Sequence, residues 1–128
     1  MSASISLTRR LDWADTDAAG YWHHSTFWVY AEAGEAELMR SLGLSGLTFG
    51  HTPRKAVTAE FHRTIHFDEE VTIDFSVEAV GRTSATYRVT LSVEGHVAAS
   101  GTLTVVLTDD DGRPRPWPDE ARALLDAD

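Results

Sequence analysis

Between Val57 and Leu107 apolar and polar residues alternate in four successive stretches, and this two-residue period limits what the chain can fold into. Val57, Ala59, Phe61, Ile65 and Phe67 form the first stretch, and Val71, Ile73, Phe75 and Val77 the second. Ala85, Tyr87, Val89, Leu91 and Val93 form the third, and Leu103, Val105 and Leu107 the fourth. Side chains of a strand point alternately to opposite faces, so each stretch predicts a strand with one face in a core and the other in solvent. Asp68-Glu69-Glu70, Gly81-Arg82-Thr83, Glu94-Gly95-His96 and Asp109-Asp110-Asp111-Gly112 supply turn chemistry, which predicts hairpin-short connections. Ile5, Leu7, Leu11 and Trp13 show the same period earlier in the chain and predict a first strand ending near Asp15.

Between that strand and the other four the period changes. Phe27, Ala31, Gly34 and Leu38 fall on one helical stripe, with Glu32, Glu35, Glu37 and Arg40 mostly off it. Ser25 or His24 can start this helix, and Leu42-Gly43 is a natural stop. Leu44 to Arg54 reads as a loop, and Asp119 to Asp128 as a short terminal helix after Pro114, Pro116 and Pro118. One strand, a long helix and four further strands predict an α+β domain over residues 1–128: an antiparallel five-stranded sheet with one helix on its face. Long edge strands invite pairing with a second copy, which makes a homodimer with a continuous sheet attractive.

Composition narrows the chemistry. A chain of 128 residues buries enough surface to fold without staples, and with no cysteine it has no disulfide, thiolate metal site or thiol nucleophile. The formal charge of −9 opposes binding to phosphate backbones, so no nucleic-acid partner is expected. Apolar runs are far shorter than the roughly 20 residues a membrane span needs, and Met1 to Thr8 lacks a secretory pattern. A cytoplasmic location is therefore expected. On one strand His62 and His66 would be separated by roughly 13 Å, and His23 and His24 lack the spacing of a helical metal pair. No metal and no resident cofactor are expected.

The run Asp15-Thr16-Asp17-Ala18-Ala19-Gly20-Tyr21-Trp22-His23-His24-Ser25-Thr26-Phe27, leading into a helix that ends at Arg40-Ser41-Leu42-Gly43, resembles the hotdog-fold acyl-CoA thioesterases. The branch it is most similar to is the 4-hydroxybenzoyl-CoA thioesterase-like one. The likeness continues through Phe67-Asp68-Glu69-Glu70-Val71, Gly81-Arg82-Thr83-Ser84 and Gly112-Arg113-Pro114-Arg115-Pro116-Trp117-Pro118, covering nearly the whole chain. It implies a sheet wrapped around the central helix, a homodimer or homotetramer, and acyl-CoA sites between protomers. It also implies that Asp17 attacks the thioester or activates water, with His24 beside it at the start of the helix. Gly20, Tyr21, Trp22, His23 and Phe27 would then surround the substrate, and Arg82, Thr83 and Ser84 would bind the nucleotide part of CoA.

Elementary chemistry supports these roles without requiring them. A thioester carbonyl gains negative charge when a nucleophile adds, and the unsatisfied amides of a helix start, here Trp22 to Ser25, suit that charge. An ordinary aspartate is ionised at neutral pH, which favours direct attack over proton abstraction. Aspartate is also common in turns, so Asp17 has a purely structural reading as well, and Asp15 is read as structural. Trp22, Phe27, Trp28 and Tyr30 serve equally as core or as pocket wall. Arg54, Lys55, Arg63, Arg113 and Arg115 are further cations for phosphate, each read singly as solvated surface. Two positions depart from the family pattern: Gly34 weakens the helix centre by about 1 kcal/mol relative to alanine, and Glu35 stands where many relatives carry a basic residue. Glu35 is thus a possible second carboxylate at the pocket. Two other functions share these features: an enoyl-thioester hydratase or dehydratase, and a non-catalytic acyl-CoA binding protein.

Overall fold

In a computed structural model describing residues 2–126, five strands form one antiparallel sheet in the order β1-β3-β4-β5-β2. These are β1 (Ser4–Arg10), β2 (Arg54–Phe61), β3 (Glu70–Val80), β4 (Ser84–Val93) and β5 (His96–Val106). The helices are α1 (Thr26–Leu42), the single turn α2 (Ser45–Thr48) inside the segment read as a loop, and α3 (Asp119–Leu125). This is the hotdog fold, α+β with one long helix against the sheet. The terminal helix expected to continue to Asp128 ends at Leu125, and its last two positions lie outside the described residues.

The alternation works as expected in the centre of the sheet. Val71, Ile73, Phe75 and Val77 of β3 and Ala85, Tyr87, Val89, Leu91 and Val93 of β4 are all buried, facing α1. β4 and β5 are joined at Glu94-Gly95, both with positive φ (50° and 79°), the backbone a two-residue hairpin turn requires. The first strand is shorter than expected. β1 stops at Arg10, Leu11 is the last side chain to enter the core, and Trp13 opens a 3-10 turn (Trp13–Asp15). Trp13 is 68% exposed and stacks on Phe67, ring centroids 4.0 Å apart.

The stretch from Val57 to Phe67 is not one strand. β2 ends at Phe61, where the amides of His62 and Arg63 both donate to the Ala98 carbonyl and break the ladder. His62 and His66 therefore do not share a strand. Nor do β2 and β3 form a hairpin. β1 occupies the outer edge of β3, from Ser4 opposite Ser76 to Arg10 opposite Glu70, so β2 takes the other edge of the sheet, beside β5.

α1 ends at Gly43, whose φ of 73° is the left-handed conformation that closes many helices. Gly34, at the helix centre, answers a packing demand. A β-carbon there would stand 2.8 Å from Cβ of Phe75, so α1 rests on β3 with no room for a side chain between them. Gly34→Ala is expected to destabilise the fold by about 1–3 kcal/mol, because overpacking outweighs the better helix propensity of alanine. Urea denaturation measures this; a stabilised variant would mean that α1 is free to rise off the sheet.

Candidate active site

The segment before α1 folds back on itself through backbone bonds. Asp17 N–H donates to Tyr21 O (2.7 Å), Thr16 bridges Trp22, and His23 N–H donates to Asp15 O (2.7 Å). Gly20, at φ 83°, turns the tip and donates to Asp17 O. Two bonds tie this small hairpin to the body: Trp22 N–H to Ile65 O (2.9 Å), and Thr26 Oγ1 of the first helical turn to Asp15 O (3.1 Å). The reading of Asp15 as structural fits, since its carbonyl receives two of these bonds and its carboxylate accepts Asp12 N–H.

Asp17 is exposed at the hairpin tip. Its Oδ1 accepts the amides of Ala19 (2.8 Å) and Tyr21 (3.4 Å), and Oδ2 has no partner among the described residues. The carboxylate is thus fixed by one oxygen and free at the other, so it serves the turn and remains available for chemistry. Two rungs separate it from His23, roughly 7 Å of ladder.

The amides at the helix start are fewer than expected. Trp22, His23 and Ser25 donate to Ile65 O, Asp15 O and His23 Nδ1 respectively, while those of Thr26 and Phe27 are taken by His23 O and His24 O. Within this run only His24 N–H has no acceptor among the described residues. α1 itself begins at Thr26 with Ser25 as its cap, so His24 stands just ahead of the helix. A backbone donor in that position, with the positive end of the helix dipole behind it, is suited to a developing oxyanion. The His24 ring lies against that of His23, centroids 4.2 Å apart, and makes no hydrogen bond to Asp17. His23 is engaged locally through Nδ1 with Ser25 Oγ (2.7 Å).

His24 and Trp22 line a cleft of about 350 Å³ with Phe61, His62, Arg63 and Thr64. The sequence reading sets Phe61 in the first stretch, His62 beside His66 and Arg63 among the surface cations, and does not join them or Thr64 to the helix start, because that stretch reads as running straight through them. Trp22 meets Phe61 edge-on (5.5 Å), and Phe61 meets Phe27 edge-on (5.9 Å). Phe27, expected to touch ligand, is fully buried and belongs to the core of the chain. Tyr21 is 45% exposed and leans on His66. Tyr30 lies deeper in α1, and its buried hydroxyl has no partner among the described residues. Burial, then the charges of Asp15 and Asp12, pushes its pKa up to about 12.

Arg82, Thr83 and Ser84 are not brought to this hairpin. They turn the chain between β3 and β4, whereas the hairpin follows β1 at the Glu70 end of β3. The eleven residues of β3 lie between, roughly 33 Å at the usual rise. This turn is held by its backbone: Arg122 donates to Val80 O and Gly81 O, and Trp117 Nε1 to Ser84 O (2.9 Å). Glu35 is only 8% exposed and forms a two-armed ion pair with Arg54 (2.9 and 2.5 Å), which binds it across to the start of β2. The carboxylate holds the Arg54 guanidinium above its ordinary pKa, against the effect of burial. The sequence reading sets Glu35 mostly off the apolar stripe; one position from Gly34, where α1 lies tight on β3, it is buried instead and needs a cation.

Residues 19–100 match the sequence profile of the thioesterase superfamily; Asp17 lies just ahead of the matched segment. No curated protein sequence matches. Among solved structures, a predicted thioesterase from Bacillus stearothermophilus is 27% identical, with a TM-score of 0.87 over 96% of this chain and 94% of that one. A thioesterase from Thermus thermophilus, complexed with coenzyme A and zinc, is 22% identical, with a TM-score of 0.87 over 94% and 90%. A variant of 4-hydroxybenzoyl-CoA thioesterase complexed with 4-hydroxybenzoyl-CoA is 20% identical, with a TM-score of 0.84 over 97% and 99%.

The ion pair makes a prediction independent of catalysis. Arg54→Leu leaves Glu35 buried without its cation and is expected to cost about 2–4 kcal/mol, less than a fully enclosed pair because Arg54 is 34% exposed. Glu35→Leu combined with Arg54→Leu is expected to recover most of that loss. A denaturation double-mutant cycle measures both.

Proposed function

Because the chain belongs to the thioesterase superfamily, we propose that its substrate is an acyl-CoA, hydrolysed to a carboxylic acid and free CoA. In this reading Asp17 acts on the thioester carbon while His24 N–H receives the carbonyl oxygen. The observation that carries it is the hairpin of residues 15–23 with the residue that follows it: Asp17 at the tip keeps one carboxylate oxygen free, and His24 N–H, where the hairpin enters α1, has no acceptor among the described residues.

The free Oδ2 adds to the thioester carbonyl, the oxygen takes the negative charge toward His24 N–H, and collapse expels CoA as thiolate, leaving an acyl-aspartyl anhydride. Water then hydrolyses the anhydride and restores the carboxylate. The alternative is activation of water by Asp17 followed by attack of hydroxide. We favour direct attack, because an ordinary carboxylate is a weak base at neutral pH and a thiolate leaves readily without an acid. The His24 side chain is then needed less than its backbone.

A second copy completes this reading. β2 is hydrogen-bonded along one edge only, to β5, and has no buried residue along its length; Val57 is 50% and Phe61 49% exposed. Antiparallel pairing of β2 with its symmetry mate continues the sheet and covers those side chains. The two-fold reverses the strand, so the Phe61 end of one copy, with the His24 cleft, meets the Arg54 end of the other. It also carries the partner subunit's Arg82 to the end of the sheet where Asp17 lies, which supports a role for Arg82, with Thr83 and Ser84, toward the phosphates of CoA.

Asp17→Asn and Asp17→Ala are expected to lower thiol release from acyl-CoAs by at least about 100-fold with the fold intact by circular dichroism. Unchanged turnover in both would remove Asp17 from the chemistry. Loss of enoyl absorbance without thiol release would indicate a hydratase, and calorimetric binding without turnover a binding protein. For the assembly, Val57→Asp is expected to shift the solution mass measured by light scattering from dimer or tetramer to monomer and to abolish thiol release. A fully active monomer would contradict a site shared between copies.

A further inference from the structure

A cleft of about 640 Å³ opens between α1 and the segment leading into β2, lined by Glu32, Glu35, Ala36, Phe49, Pro53 and Arg54 among others. Through Glu32 and Arg54 it adjoins a hollow of about 290 Å³ that reaches Trp28, Val57 and Leu103. The walls are largely apolar, with Phe49 46% and Val57 50% exposed. The charges are not balanced: two carboxylates face one guanidinium.

That guanidinium has little left to offer. Nη1 donates to Glu35 Oε2 and Thr52 O, and Nη2 to Glu35 Oε1 and Glu32 Oε2. Glu32 is the loosely held member, 3.5 Å from Arg54 and 63% exposed, so its charge projects into the cleft. The buried Tyr87 hydroxyl, also without a partner among the described residues, lies within electrostatic reach of Glu35 and Arg54. The cleft therefore presents acceptors and net negative charge on an apolar frame.

We propose that this channel holds the acyl group and that Glu32, backed by the Glu35–Arg54 pair, determines which acyl groups enter. Uncharged acyl chains are admitted, and acyl groups ending in a second carboxylate are excluded. The inference rests on the paired-β2 reading above, in which the channel of one copy continues the His24 cleft of the other. The same charge repels the phosphates of CoA, which leaves the channel to the acyl end. Like charges a few ångströms apart at a half-exposed site oppose each other strongly enough to outweigh a small difference in apolar fit, and salt weakens that opposition.

Pentanoyl-CoA and succinyl-CoA test this, because their acyl groups are close in length and differ in a terminal carboxylate. The measured quantity is the ratio of kcat/KM for the two, by thiol release, in the parent protein, Glu32→Gln and Glu32→Lys. The parent is expected to favour pentanoyl-CoA by about tenfold or more. Raised ionic strength and Glu32→Gln are expected to narrow the ratio, and Glu32→Lys to narrow it by roughly a further tenfold or invert it. Equal use of both substrates by the parent, or a ratio unmoved by both substitutions while pentanoyl-CoA is hydrolysed, would overturn the inference alone. Absence of thiol release from every acyl-CoA by the parent would overturn the thioesterase reading, and the inference with it.

Discussion

The contact between Gly34 and Phe75 sets the height of α1 over the sheet, and the functional geometry follows from that height. With no side chain at residue 34, the helix backbone rests against β3 where a β-carbon would come to 2.8 Å of Phe75 Cβ. One residue along, Glu35 then falls below the surface, close enough to β2 to bind Arg54 with both oxygens. At the amino end of the same helix, Thr26 comes within reach of the Asp15 carbonyl and anchors the hairpin that carries Asp17. A helix lifted by even one methyl group would disturb both.

The hairpin illustrates how a turn becomes a site. Most of its polar groups are consumed in making it: five of the six amides of residues 22–27 have acceptors, His24 being the exception, and Oδ1 of Asp17 holds the tip. Among the groups left without partners in the described residues are Oδ2 of Asp17 and the His24 amide. Both are held by bonds that do not depend on substrate, so little ordering is left to be done when a thioester arrives.

The order of strand, helix and four strands was legible because β3, β4 and β5 each bury one face, and period two records that directly. β2 was misjudged for the same reason. Its alternation continues past Phe61 only because Ile65 re-enters the core from a kinked segment, and a strand exposed on both faces carries no burial signal to mark its end. The pairing of β2 with β5 rather than β3 depends on β1 having taken the edge of β3, a long-range fact that local turn chemistry does not encode. At the site, Asp17 and the helix start were readable from the motif. The loss of Trp22, His23 and Ser25 as free donors was not, because each is claimed by an acceptor fixed only after the hairpin folds. Likewise the stripe of Phe27, Ala31, Gly34 and Leu38 leaves Glu35 off the buried face, and neither its burial nor the cation that answers it shows before β2 is in place.

The open edge of β2 carries a kinetic implication. If each reaction centre draws residues from two chains, the working unit is an associated species in equilibrium with inactive single chains. Specific activity then falls on dilution below the dissociation constant of the pair. A substrate that binds across the seam draws chains back together by mass action, so saturating ligand protects against dilution.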